Sequence, residues 1–144
     1  MKKLLLATLS YFVLTMALAY PWHLIWFHDI YKEIGAVQRE EPIMILGISS
    51  IIIQGLVIAY LYPFYYKSGN PVFHGIKFSL LIGLMVYTVV VFANAAKFLI
   101  EPVSTFLLYG TAFSLLQFSV TGTALGLIYG RKNSLMKKES SCQM

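Results

Sequence analysis

Charge is scarce in this sequence. Asp, Glu, Lys and Arg make up only 12% of the residues, about half the share usual in soluble domains, so the chain cannot cover itself with an ordinary aqueous surface. Acidic residues are scarcer than basic ones, 6 against 11. None lies at the centre of a long apolar run, which argues against a carboxylate-driven proton relay or a cation-coupled pump. Cysteine occurs once, as Cys142 in the polar C-terminal tail, so an internal disulfide is excluded. Its simplest reading is a solvated tail residue, and nothing supports palmitoylation. No Ser or Thr stands in a nucleophile motif and no glycine-rich phosphate loop is present, which counts against nucleophilic and nucleotide chemistry.

What is there instead is apolar: 58% hydrophobic and 15% aromatic residues. They gather in four runs, residues 4–27, 43–66, 72–100 and 103–129. Each exceeds the roughly 20 residues that a helix needs to cross about 30 Å of hydrocarbon. A β-barrel strand alternates apolar and polar residues, whereas Ile43-Met44-Ile45-Leu46 and Val89-Val90-Val91-Phe92 are apolar on every side, so helices are expected. The predicted fold is all-α: one transmembrane domain over residues 1–144, a bundle of four transmembrane helices with a polar tail at 131–144.

Basic residues near span ends stay on the cytoplasmic side. With the N-terminus inside, that side holds Lys2, Lys3, Lys67, Lys77, Arg131, Lys132, Lys137 and Lys138, and the other holds Lys32, Arg39 and Lys97. Both termini are thus expected in the cytoplasm, in the plasma or inner membrane, with a basic rim suited to anionic lipid headgroups. The basic residues are too scattered for a nucleic-acid arm. The first run has a second reading. Met1-Lys2-Lys3, an apolar stretch and Ala17-Leu18-Ala19 also resemble a signal peptide with a cleavage site, leaving open whether residues 1–19 are removed. Retention is favoured because the apolar stretch continues through Tyr20, Trp22 and Trp26 to Phe27, past the length of a signal core.

Pro21 limits or kinks the first helix. In the loop at residues 28–41, Ile30, Ile34 and Val37 recur at helical spacing against Asp29, Lys32, Glu33 and Gln38, which predicts a short amphipathic helix on the outer surface. Lys67-Ser68-Gly69-Asn70-Pro71 and Glu101-Pro102 are turn signals. Connections this short predict an antiparallel up-down meander in which the second, third and fourth spans are neighbours, with the first docked by a freer link.

Gly75, Ser79 and Gly83 in the third run, and Gly122, Gly126 and Gly130 in the fourth, each recur at intervals of four and lie at matching depths of an antiparallel pair. Such faces allow close backbone approach. The expected use is contact within the monomer, and the competing use is a homo-oligomer interface. Thr15, Gln54, Thr88 and Gln117 place one polar residue near the middle of each run. They are expected to face inward and bond across helices, or else to form a midplane site for a polar solute.

His23, His28 and Asp29, with Glu33, Glu40 and Glu41, form the one cluster of ligand-type side chains. Imidazole plus carboxylate holds zinc or copper, or shuttles a proton. Five residues separate His23 from His28, about 140° apart on a straight helix unless Pro21 or the helix end alters the angle. Ordinary interfacial residues are the simpler reading. His74 lies at the other end of the third run and cannot share a metal or haem with them, so no cofactor is expected for this chain alone. Lys77 and Lys97 can snorkel to headgroups, and Asn94 bonds locally.

Tyr20-Pro21-Trp22 with Trp26-Phe27, the Gly75 to Gly83 segment and the glycine-rich last run give the chain a resemblance to small bacterial four-span membrane proteins grouped as domains of unknown function. The resemblance implies a four-helix inner-membrane bundle and transfers no catalytic residue or substrate. The leading functional expectation is a non-enzymatic membrane component, an accessory or assembly subunit or a small oligomeric protein, whose charged outer loop meets a partner. A solute transporter or channel around Gln54 and Gln117 is second. An outer-face metal-dependent enzyme using His23, His28 and Asp29 is third.

Overall fold

The computed structural model describes residues 1–37, 39 and 41–141, with side chains described as far as residue 130; Gln38, Glu40 and Cys142 lie outside the described residues. Regular structure among them is helical throughout: α1 (Lys2–Pro21), α2 (His28–Glu33), α3 (Met44–Tyr65), α4 (Pro71–Tyr87), α5 (Ala93–Lys97) and α6 (Val103–Ser141). Wide π-helical turns extend α1 over Trp22–Trp26 and join α4 to α5 over Thr88–Phe92. Four stretches are long and apolar enough to cross a membrane: Lys2–Trp26, Met44–Tyr65, Pro71–Lys97 and Val103–Gly130.

Local chemistry explains the ends. Pro21 has no N–H to continue the α ladder, and the chain passes into the π turn there without stopping. The β-branched run Thr88-Val89-Val90-Val91 is a poor helix former, and the Thr88 hydroxyl donates to the Met85 carbonyl at 2.8 Å, where the second π turn begins. Asn70 caps α4 by accepting from the Val72 and Phe73 amides at 3.0 and 3.2 Å, ahead of Pro71 in the first turn. Helix α2 ends on Gly35, whose φ of 77° needs a residue without Cβ. Ala36 N donates back to Tyr31 O at 2.9 Å and Gly35 N to Lys32 O at 3.1 Å, a Schellman closure.

The side of α2 that turns inward is set by Tyr31 and Ile34. With Ile100 they form a small buried cluster, flanked by Trp22, Phe27, Phe106 and Tyr109. The Glu101 amide donates to the Ile34 carbonyl at 3.0 Å, tying this segment to the turn before α6. Val37, expected on the apolar stripe, lies beyond the helix and is exposed.

The order of neighbours departs from a meander of sequential spans. Helix α1 packs between α3 and α6, while α4 packs along α6. Contacts between α3 and α4 concentrate at their shared turn, where Tyr62 and Tyr65 meet Phe78 and Tyr65 meets His74. A short turn holds two helices together at one end only. Farther along, each goes to the helix whose surface fits it better.

For α4 that surface is glycine. A methyl built on Gly122 would stand 2.7 Å from the Gly75 carbonyl oxygen, 2.8 Å from Ile76 Cα and 2.9 Å from Ser79 Cβ. One on Gly75 would strike the Gly122 carbonyl, and one on Gly126 would meet the backbone of Pro71 and Val72. Gly130 faces the Pro71 ring and Gly83 the Phe118 ring. Residue numbers rise along one helix as they fall along the other, so this pair is antiparallel. The main core lies beside this seam, with Ala7, Tyr11, Ile58, Ala59, Tyr62, Phe78, Phe118 and Leu125 buried together.

Backbone blocks the new atoms at Gly122 and Gly126, so Gly126→Leu should cost at least the roughly 1–3 kcal/mol of ordinary overpacking and reduce the folded fraction in detergent size-exclusion profiles. A methyl on Gly47 would meet no other atom within 4 Å, and Gly47→Ala should leave that profile unchanged or improved. Ser79 is 1% exposed and its hydroxyl has no hydrogen-bond partner. Ser79→Ala should therefore be neutral or stabilising in the same assay, because it removes a desolvated polar group that gains nothing.

Candidate functional site

Two places concentrate polar side chains. The first is inside the bundle. On α1, Ala7, Tyr11 and Thr15 recur every four residues and all are buried, giving that helix one inward stripe. The Tyr11 hydroxyl donates to Gln54 Oε1 at 3.0 Å and accepts from Gln117 Nε2 at 3.4 Å. Gln117 Nε2 also donates to Thr15 Oγ1 at 3.2 Å, and Gln54 Nε2 to Ser50 Oγ at 3.1 Å. One phenol thus joins α1, α3 and α6 at a single level. Three of the four residues singled out along the sequence, Thr15, Gln54 and Gln117, belong to this network. Thr88 does not: it is exposed and bonds only within its own helix. Tyr11 and Ser50 are the members that sequence reasoning missed, although the place of Tyr11 one turn before Thr15 on the same face was an available signal.

The second place is the end of the bundle where the first span stops. A cavity of about 710 Å³ opens there, lined among others by His23, His28, Tyr31, Arg39 and Asn94 and by apolar residues of the two π turns, α3, α6 and the adjoining loops. A break at Phe27, with φ −119° and ψ 14°, separates the two histidines' helical segments, so both line one space despite their spacing. His23 packs against the rings of Phe113 and Tyr31, with centroids 4.5 and 5.1 Å away. The His28 Nδ1 atom is buried without a hydrogen-bond partner. Burial pushes the Tyr31 phenol above its ordinary pKa, opposed by the Trp22 indole N–H, which donates to it at 3.3 Å, and assisted by Tyr109. Tyr31 therefore stays protonated at neutral pH and keeps its own O–H to give.

Asp29 is exposed and takes no part in lining this cavity, and Glu33 and Glu41 are exposed as well. Among the described residues no group of three or more His, Cys, Asp or Glu side chains could hold a metal ion. Asp29 thus does not join His23 and His28 at the cavity. His74 sits at the opposite end against Tyr65, Tyr66 and Phe73. Asn94 Nδ2 donates to the Val90 carbonyl at 2.7 Å, and Lys77 and Lys97 are exposed. Tyr31 and Arg39 contribute to the cavity but carry no motif that marks them in the sequence.

Removing the Tyr11 hydroxyl leaves two amides inside the bundle short of a partner. Tyr11→Phe should destabilise the fold by about 1–2 kcal/mol, read from denaturation in mixed micelles. A double-mutant cycle of Tyr11→Phe with Gln117→Leu should be non-additive, since the two side chains share one bond network. Comparisons with protein-family models, with curated proteins and with solved structures find no match to this chain.

Proposed function

We propose that the chain is a small multi-pass integral membrane protein without catalytic activity, an accessory or assembly subunit or an oligomeric component of the plasma or inner membrane. The observation that carries this reading is the closed hydrogen-bond network of Tyr11, Thr15, Gln54 and Gln117. Polar groups at that depth are engaged with one another, as interhelical ties are. A solute passing between Gln54 and Gln117 would have to displace the Tyr11 hydroxyl from both amides. Four apolar helices and tight helix seams fit a role in packing and association, in keeping with the resemblance to small bacterial four-span proteins.

In this reading the four spans run up and down through the bilayer with both termini in the cytoplasm, as the basic residues favour. The segment α2 lies at the outer surface. Its exposed Asp29, Lys32 and Glu33, with Glu41 beyond it, form the side that faces a protein partner. Lipid is the first partner, and a second copy or another membrane protein is the second.

Two measurements test this. Cys142, the sole cysteine, should resist an impermeant maleimide on intact cells and react once the membrane is permeabilised; labelling of intact cells would overturn the orientation. Extraction into polymer-bounded lipid discs without detergent should yield the protein with a stoichiometric partner or as a homo-oligomer. A monomer without companions, together with solute flux that is lost in folded Gln54→Leu protein, would favour the transporter instead.

A further inference from the structure

We propose that the cavity lined by His23, His28, Tyr31 and Arg39 binds the phosphate headgroup of an anionic glycerophospholipid, whose acyl chains leave between α3 and the π turn that joins α4 to α5. This rests on the membrane reading of the four spans and adds a ligand site to it.

Volume and shape come first. About 710 Å³ is within the range of specific small-ligand sites, which are mostly apolar with a few convergent polar groups. The walls follow that rule, with Ile43 and Leu46 on one side and Val90 and Phe98 on the other. These walls belong to the two spans that meet at their common turn and then go to different partners, so the opening between them is a product of the packing and faces the surrounding lipid. The cavity also lies at the level where the spans end, at Trp26, Met44, Lys97 and Val103, which is headgroup depth for a spanning bundle.

The polar groups fix the sign of the ligand. Arg39 lines the space and brings a full positive charge and five donors. Tyr31 accepts from Trp22 and retains its own hydroxyl proton, and His28 has a buried ring nitrogen with nothing bound to it. Asn94 gives one amide hydrogen to the Val90 carbonyl and keeps a second. Among the described residues no carboxylate lines the space. A cation with neighbouring donors in a partly desolvated wall is complementary to a phosphate oxygen, and guanidinium makes the strongest such pairs. A zwitterionic headgroup adds a quaternary ammonium that finds no carboxylate among the described residues lining the space.

The test uses the full chain in mixed micelles containing equal amounts of phosphatidylglycerol and phosphatidylcholine with identical acyl chains, read by native mass spectrometry. One phosphatidylglycerol should be retained in preference to phosphatidylcholine. Arg39→Gln should reduce that preference about tenfold, the loss of one charge-assisted hydrogen bond, and Leu46→Trp should fill the space and abolish it. Lys32→Gln, an exposed cation outside the cavity, should change nothing. Equal retention of the two lipids by the wild type, or unchanged preference in Arg39→Gln, overturns the proposal, and so does displacement of the bound lipid by inorganic phosphate, which would mark a site for the free anion. A second readout needs no change in the cavity: in Trp26→Phe protein, Trp22 is the sole tryptophan, and brominated phosphatidylglycerol should quench it more than brominated phosphatidylcholine. Equal quenching overturns the site. Protein that inserts stably in bilayers but shows no lipid preference would refute the cavity assignment while leaving the membrane reading intact, whereas failure to insert would refute that reading itself.

Discussion

The close approach of α4 to α6 over Gly75, Gly122 and Gly126 is the constraint on which the rest of the bundle depends. Lipid gives apolar side chains no reason to leave it, so helices in a membrane associate through contact area and polar ties. Backbone against backbone is the largest contact area per residue available, and it exists only where Cβ atoms are missing. Once α4 is committed to α6 by this seam, α3 must find its surface elsewhere. It finds α1, through Gly55 against Tyr11 and Thr8 and through the Gln54 bond to Tyr11. The arrangement α3, α1, α6, α4 is thus the outcome of two surface matches, with turn length deciding only which ends stay close.

Much of this was legible in the residues. Apolar length marked the four helices, because covering hydrocarbon is a one-dimensional requirement that composition alone expresses. Spacing by four marked Gly75, Ser79, Gly122 and Gly126, because helix faces are periodic. The amides Gln54 and Gln117 stood out, since polar atoms are rare at that depth. What was not legible depends on three dimensions. Tyr11 reads as one more aromatic in an apolar run, and its value lies in the position of its hydroxyl between two other helices. Thr88 turns away from the network, satisfied by the Met85 carbonyl of its own helix. The shared cavity of His23 and His28 arises from the break at Phe27, which no straight-helix angle anticipates.

The two π turns add a physical link between local sequence and the open end. Both lie at the same end of the bundle, one donating His23 and Leu24 to the cavity wall and the other Val90. A π turn widens the helix and shifts the register of side chains. Here a proline begins one, and a β-branched run with a hydroxyl bonded to its own backbone occupies the other. At the opposite end, regular α-helix, the Asn70 cap and the stacked rings of Tyr62 and Tyr66, parallel within 1°, give a closed terminus.

The place of α1 between α3 and α6 has a consequence for biosynthesis. The ribosome delivers α1 before either of its walls, α3 and then α6. Until α6 is in place, Thr15 has no amide to bond and the Tyr11 hydroxyl serves Gln54 alone, while the glycine groove of α4 is uncovered. Nascent polypeptides halted before residue 117 therefore carry an unfinished polar stripe, and α6 is the helix that locks the other three.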